Sequence, residues 1–413
     1  MRIFQDLFDK AFRDALSFPE FAAHLISKGM LEQDIELSQA QREHISDLLG
    51  EMMDQGILRD NLQLTVSDEG EIGISSSAAE KQLEIDLNEL ADLEIARILE
   101  GLPDTMTSLA DEISNILLDE IKAQSDEILK SNKKDLKEFQ KNLHRKREEL
   151  LSLFEIYITI TEEIGAEYNH YIRTNSENGA SVQFEVLSRL HARGCQVAKE
   201  ILILLKHGFA DGAHARWRTL HELSVDANLI NRFDDSLAQK YVDHDIVQRY
   251  KSAKTYQQHC EQIGFEPLPE DKLSQLKASY NHLITKYGKV FSNDNGWASE
   301  ITRKTKPNFY DLESAVDLSH IHPFYKLANL NVHSGPRGLF LRLGLTPEQH
   351  DETLLSGSIV FGLDDPIQNT AYSLMLLTAN LLTHEVNLDC LIALCILMKL
   401  EGEIFDAVQQ INL

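Results

Sequence analysis

Basic residues are scarce in this 413-residue chain, where 40 Lys and Arg face 66 Asp and Glu for a formal net charge of −26. Nonspecific nucleic-acid binding needs clustered cations to displace counterions, so that class is disfavoured for the chain as a whole. The acidity concentrates between Glu51 and Glu100, which leaves the remainder free to present a different surface. Proline is also sparse, at 9 residues, and with 43% hydrophobic residues this fits a packed, largely helical protein rather than a disordered one. The four cysteines, Cys195, Cys260, Cys390 and Cys395, form neither a CxxC pair nor a zinc-finger spacing and read as reduced core thiols. No apolar run approaches the roughly 20 residues of a membrane span. The nearest are Leu391 to Met398 and Leu374 to Leu382, the latter interrupted by Thr378 and Asn380. The opening MRIFQDLFDKAFRDALSF alternates apolar and charged residues at helical spacing, unlike a signal peptide, and predicts a cytoplasmic protein that does not enter the membrane. Glycine-rich phosphate loops and the Gly-x-Ser-x-Gly elbow are missing too, which removes common nucleotide and serine-hydrolase readings; no cofactor is expected.

What is present reads as a mainly α protein in three parts. Residues 1–77 form an N-terminal helical module, with Phe4, Leu7, Phe8, Ala11 and Phe12 at helical period. Within it Leu62, Leu64 and Val66 alternate before an Asp-Glu-Gly turn, with Ile72 and Ile74 following, a β-hairpin signature. Helix plus hairpin resembles a winged-helix element, but Asp68, Glu69 and Glu71 stand where a wing would approach phosphate, so protein docking or a structural role is the better reading. Residues 78–173 form an acidic, then basic, long-helix stalk, broken near Gly101 and Pro103. Leu129, Leu136, Leu143 and Leu150 repeat every seven residues there, a heptad that allows a homodimer through the stalk or a long bundle helix. Lys130, Lys133, Lys134, Lys137, Lys141, Arg145, Lys146 and Arg147 in the same stretch read as a solvated face.

After a Thr-Asn-Ser-Glu-Asn-Gly break, residues 174–413 read as a helical-bundle domain. A helix from near Ser181 ends at Gly208 and should turn back as an antiparallel hairpin into FADGAHARWRTLHELSVDANLINR, Phe209 to Arg232. On a helix His214, Arg218, Glu222 and Asp226 form one drifting polar row, while Trp217, Leu220, Ala227 and Ile230 populate an apolar face. Charge on a segment patterned for burial needs a reason. Arg218 and Glu222 are spaced for an i,i+4 ion pair. His333 precedes Gly335, Pro336 and Arg337 at an expected helix end, where its imidazole would be presented beside Arg337. Arg218, Glu222, His214 and Arg337 are therefore the expected ligand-binding residues, completed by His333 if the fold brings it near, as a pocket suited to an anion. A metal site is not expected, since Asp243, His244 and Asp245 are consecutive on a helix and point apart, and His320-x-His322 has no third ligand at recognisable spacing. The segment from Ile367 to Met398 reads as one long central helix with Tyr372, Leu376, Ala379, Leu382, Val386 and Leu391 buried.

Gly208, Phe209, Trp217, Arg218, Leu220 and Glu222, followed by Tyr325, Val332 and His333, resemble the pattern of a bacterial domain of unknown function, number five-six-seven-seven. The resemblance covers roughly Ala166 to Leu400 and implies a helical bundle without an established activity. Arg216 and His221 also resemble the Arg-x4-His motif of the HEPN ribonucleases, in which Arg and His act on RNA without metal. That resemblance implies catalytic roles for Arg216 and His221, with His333 as a further candidate. Residues five apart on a helix lie roughly 140° apart, so the pair converges only if the helix begins or distorts at Arg216 or a second copy joins. Trp217 also departs from the polar residue common after that arginine. Three readings follow: an interaction or ligand-recognition protein with an Arg/Glu/His pocket, a metal-independent ribonuclease in a toxin or phage-defence role, and a small-anion sensor.

Overall fold

A computed structural model describes residues 10, 18–31, 35–54, 63–66, 72–75, 87–175, 180–345 and 356–411. The chain divides into two compact units, Met1–Ile128 and Leu129–Leu413. The protein is mainly α.

In the first unit α1 (Phe18–Leu31) packs on α2 (Gln39–Asp54). Ala22, Ala23, Ile26 and Met30 meet Leu37, Ile45 and Leu49 in a small closed core. Strands β1 (Gln63–Val66) and β2 (Ile72–Ser75) pair antiparallel, Gln63 opposite Ser75 and Val66 opposite Ile72; the Asp-Glu-Gly turn of the sequence lies outside the described residues. Helix α3 (Leu87–Ala123) runs unbroken through Gly101 and Pro103, where a break was expected. Proline removes one amide donor, and the hydroxyls of Thr105 and Thr107 donate to the carbonyls of Gly101 and Pro103 at 3.0 and 2.8 Å. Buried Glu94 is held by Lys28 of α1.

The second unit takes in most of α4 (Ser125–Asn175), which kinks at Arg147 where φ is −134° and ψ 19°. The heptad leucines divide: Leu143 and Leu150 are buried in this unit's own core, whereas Leu129 and Leu136 are exposed. Helix α5 (Val182–Lys206) starts where Ser181 caps the Phe184 amide at 3.1 Å. It is followed by α6 (Ala210–Arg232), α7 (Asp235–His259) and α8 (Glu270–Tyr287). Short helices come next: α9 (Ser299–Thr302), α10 (Phe309–Ala315), α11 (His322–Asn329) and α12 (Pro336–Phe340). The chain closes with α13 (Asp364–Leu382) and α14 (Leu388–Ile411).

Helix α6 is the centre of this unit, packed against α5, α13, α10 and α11. Gly208 makes the turn into it at φ +75°, and a Cβ there would lie 2.8 Å from the Ile359 carbonyl oxygen, so only glycine fits. The expected single helix from Ile367 to Met398 is two. Tyr168 of α4 supplies the reason: its hydroxyl accepts from the Glu385 amide at 2.9 Å and donates to the Glu385 carbonyl at 3.2 Å, satisfying backbone that a helix would otherwise satisfy. Asn387 then accepts from the Cys390 amide at 2.9 Å and starts α14. Val386 and Leu391 are accordingly exposed rather than buried, and Cys395 is an exposed thiol, unlike the three buried cysteines. No helix among the described residues is long and apolar enough to cross a membrane.

Candidate functional site

The core-facing side of α6 stacks three rings. Trp217 lies between His214 and His221 with centroids 5.3 Å away on each side and interplanar angles of 14° and 25°, as i,i+3 and i,i+4 spacing dictates. The indole N–H donates to the Asn369 carbonyl at 2.8 Å and to Ser373 Oγ at 2.9 Å on α13. His214 is fully buried and neither ring nitrogen has a partner among the described residues. Burial lowers its pKa to about 4, so the ring is neutral. The expected ligand-binding role therefore does not suit His214, which is sealed in the core.

His221 is also fully buried, with Nε2 2.8 Å from Oε1 of Glu313, itself without solvent exposure. The other oxygen of Glu313 is 2.5 Å from Nδ1 of His322. Local sequence places this carboxylate: Asn308 and Asp311 form a reciprocal capping box that sets the register of α10, and Leu312 and Glu313 then face inward. An ionised carboxylate only accepts hydrogen bonds. Against such a carboxylate both facing ring nitrogens are the donors, and His221 Nδ1 is a buried nitrogen without a partner among the described residues.

Arg218 and Glu222 meet as the spacing predicts, Nη2 to Oε1 at 3.1 Å, but the third member is Tyr325 of α11. Arg218 Nε donates to the Tyr325 hydroxyl at 2.8 Å, which donates to Glu222 Oε1 at 2.6 Å. The guanidinium carbon also sits 5.0 Å from the Tyr325 ring centroid. Burial works against the charge of Arg218, yet Tyr325 and Glu222 raise its pKa above the ordinary value. Burial, followed by the Glu222 hydrogen bond, pushes the Tyr325 phenol well up. The Tyr325 ring also packs near Phe309, His322 and His221, with centroids 4.5, 5.9 and 6.0 Å away. It joins the Arg218–Glu222 pair to the His221–Glu313–His322 chain.

The polar row continues to Asp226, whose carboxyl hydrogen-bonds Tyr241 of α7 and is pushed up to about 8 by burial and then by the Glu222 charge. Tyr241 packs edge-on against Trp297 at 5.0 Å.

Arg216 and His221 are not brought together. Helix α6 begins at Ala210 and is regular at Arg216, so five residues carry the two side chains to different faces. Arg216 Nε is held by Glu200 of α5 and Nη1 donates to Thr219 Oγ1 at 3.1 Å, while His221 points to Glu313. Nor does His333 join Arg218: it is exposed and, among the described residues, makes no hydrogen bond or ion pair with Arg218 or Glu222. Its neighbour Val332 lines the cleft over Arg216, Arg218, Thr219 and Glu222 instead. Arg337 is exposed and forms no ion pair among the described residues. Asp243 is bound by Tyr287 at 2.7 Å and Lys286 at 3.2 Å, while His244 Nε2 is 2.8 Å from the Asn293 carbonyl. These neighbours in sequence diverge in space.

Sequence reasoning missed Glu313, and it met His322 only as half of a His-x-His. The available signal was a glutamate beside Leu312 and three residues before Val316 in a short segment with a capping box. Tyr325 appeared in the family pattern without a role.

Residues 184–351, less than half of the chain, match the model of a family of unknown function, DUF5677. The matched span holds nearly all of α5, α6 through α12, and Arg216, Arg218, His221, Glu222, Glu313, His322 and Tyr325, whereas Asn369 and Ser373 lie beyond it. No curated protein and no solved structure matches the chain. The HEPN resemblance has no counterpart in these comparisons.

Proposed function

We propose that the second unit is a recognition module that binds a small anion or an anionic group of a partner at Arg216 and Arg218. The carrying observation is that two guanidinium groups open on one shallow cleft, each fixed by groups from neighbouring elements. Glu200 and Thr219 hold Arg216, and Tyr325 and Glu222 hold Arg218. Among the described residues Arg216 Nη2 and Arg218 Nη1 have no protein acceptor. Planar donors held in place lose little entropy on binding a phosphate or carboxylate, which favours this reading over a merely structural ladder. Metal-independent ribonuclease action by Arg216 with His221 has no support in this geometry, because His221 is sealed against Glu313.

The test is thermal denaturation of the full chain with inorganic phosphate, sulfate and acetate. A ligand at about 100 times its Kd stabilises by about 2.7 kcal/mol. A rise in Tm that Arg218→Ala abolishes is expected; no rise with any of the three, or one that survives Arg218→Ala, removes the proposal.

A second reading, self-association through the first unit, has its own observation. Ile95, Leu99, Leu102, Met106, Leu109, Ile113 and Ile116 recur at alternating four- and three-residue steps along α3, the spacing of a coiled-coil seam. All but the partly buried Leu102 and Ile113 are exposed, Ile116 at 62%. This seam suits a second copy of the chain better than the Leu129 to Leu150 row, half of which is used in the chain's own core. Light scattering of the seam variants described below tests it.

A further inference from the structure

We propose that His322 is a general base that hydrolyses phosphodiesters bearing a planar ring, in a cleft distinct from the one over Arg216 and Arg218. This cleft is lined by Asn308, Phe309, Tyr310, His322 and Lys326, and shares no residue with the other.

Its first support is the direction of the imidazole. Glu313 has no solvent exposure and is approached by His322 Nδ1 at 2.5 Å and His221 Nε2 at 2.8 Å. A buried carboxylate is costly unless its oxygens are satisfied. Since it accepts from His322 Nδ1–H, a neutral His322 carries its lone pair on Nε2. That nitrogen has no hydrogen bond among the described residues, yet it is absent from the buried polar atoms without partners, so it reaches solvent. The side chain is 19% exposed and lines the cleft. A carboxylate that fixes one ring nitrogen orients the imidazole and leaves the other nitrogen facing outward, as in catalytic triads where histidine is the general base. Glu313, with His221 behind it, is a positioning residue in this scheme.

The second support is the rest of the cleft. Lys326 lies one helical turn beyond His322 on α11, is exposed, and forms no ion pair among the described residues. It supplies positive charge that holds the phosphodiester anion equally in the bound and the transition state. Tyr310 is exposed and meets the His322 ring edge-on at 4.7 Å, with Phe309 beside it. Two aromatic side chains offer a stacking wall for a planar substituent. In the step, water gives a proton to His322 Nε2 as its oxygen bonds to phosphorus. The bond from phosphorus to the ester oxygen breaks, and the departing oxygen keeps the electron pair. An aryloxide leaves as the anion, and the proton on His322 returns to solvent.

The experiment is release of p-nitrophenolate from bis(p-nitrophenyl) phosphate by the full chain in EDTA. Turnover above buffer is expected, with His322→Ala slower by about 100-fold or more. Lys326→Ala, at an exposed position that leaves the fold intact, should raise KM and leave kcat within about twofold. Glu313→Gln, assayed at a temperature where circular dichroism shows it folded, should lower kcat without raising KM, a split that loss of stability does not produce. No turnover by the unmodified chain, an unchanged rate in His322→Ala, or an unchanged KM in Lys326→Ala overturns the proposal. The anion-dependent rise in Tm is read separately through Arg218, so either proposal can fail alone.

Discussion

Helices α3 and α6 break the burial rule in opposite directions. In α3 a row of large apolar side chains faces water, whereas in α6 two histidines sit in a fully buried column and an arginine, two carboxylates and further donors flank it. Exposed apolar surface in a continuous stripe marks a face that gains by being covered. Most buried polar groups are answered by a hydrogen-bond partner. The answers in α6 come from α10, α11 and α7, which contribute Glu313, Tyr325 and Tyr241. The polar row of the second unit thus meets partners from its own chain, the nitrogens of His214 and Nδ1 of His221 excepted, and the apolar seam of the first lacks a cover among the described residues.

The sharpest way to break the contrast is at Glu313. Glu313→Ala leaves His221 Nε2 and the inward nitrogen of His322 unpaired, and removing one partner of a buried pair costs about 3–5 kcal/mol. Urea denaturation should show that loss; a change below about 1 kcal/mol would mean that the histidines are satisfied without the carboxylate.

Substitution of the seam should act differently. Leu109→Lys with Ile116→Lys is expected to convert an associated form to single chains by light scattering, while the stability of the single chain stays within about 0.5 kcal/mol, as for surface changes generally. A monomer at every concentration before substitution eliminates the seam as an interface.

The smallest effect is in the pH dependence of the polar row. Asp226 has its pKa raised by burial to about 8 from the ordinary 3.8, so folding favours its protonated form. Its contribution is fully present below the unfolded value and is lost as pH rises through about 8. Asp226→Asn should therefore raise Tm at pH 9 relative to pH 5, and an equal shift at both would disprove the protonated assignment. His214 works the other way: burial lowers it to about 4, so stability present above its unfolded value of 6.5 is lost as pH falls toward 4.

Much of the second unit is legible from local pattern. The cap at Ser181, the turn at Gly208 and the apolar face of Trp217, Leu220, Ala227 and Ile230 follow from residues close in sequence. The Arg218–Glu222 pair is a helix-neighbour contact and is equally legible. Glu313 is not, because in sequence it is one carboxylate among 66 acidic residues, and only α10 packing on α6 turns it inward. The break at Thr383–Asn387 escapes for the same reason. Its backbone is satisfied by Tyr168, more than 200 residues earlier.

The sequence alone determined the helical class, the positions of α5 and α6, and the presence of a polar row on a helix built for burial, because periodicity and capping act within a few residues. Tertiary structure decided which partners that row meets. Tyr325 rather than His333 closes the Arg218–Glu222 pair, and His221 is committed to Glu313 rather than to Arg216. Hydrogen bonds are short and directional, so these pairings depend on where distant helices cross, which local spacing leaves open.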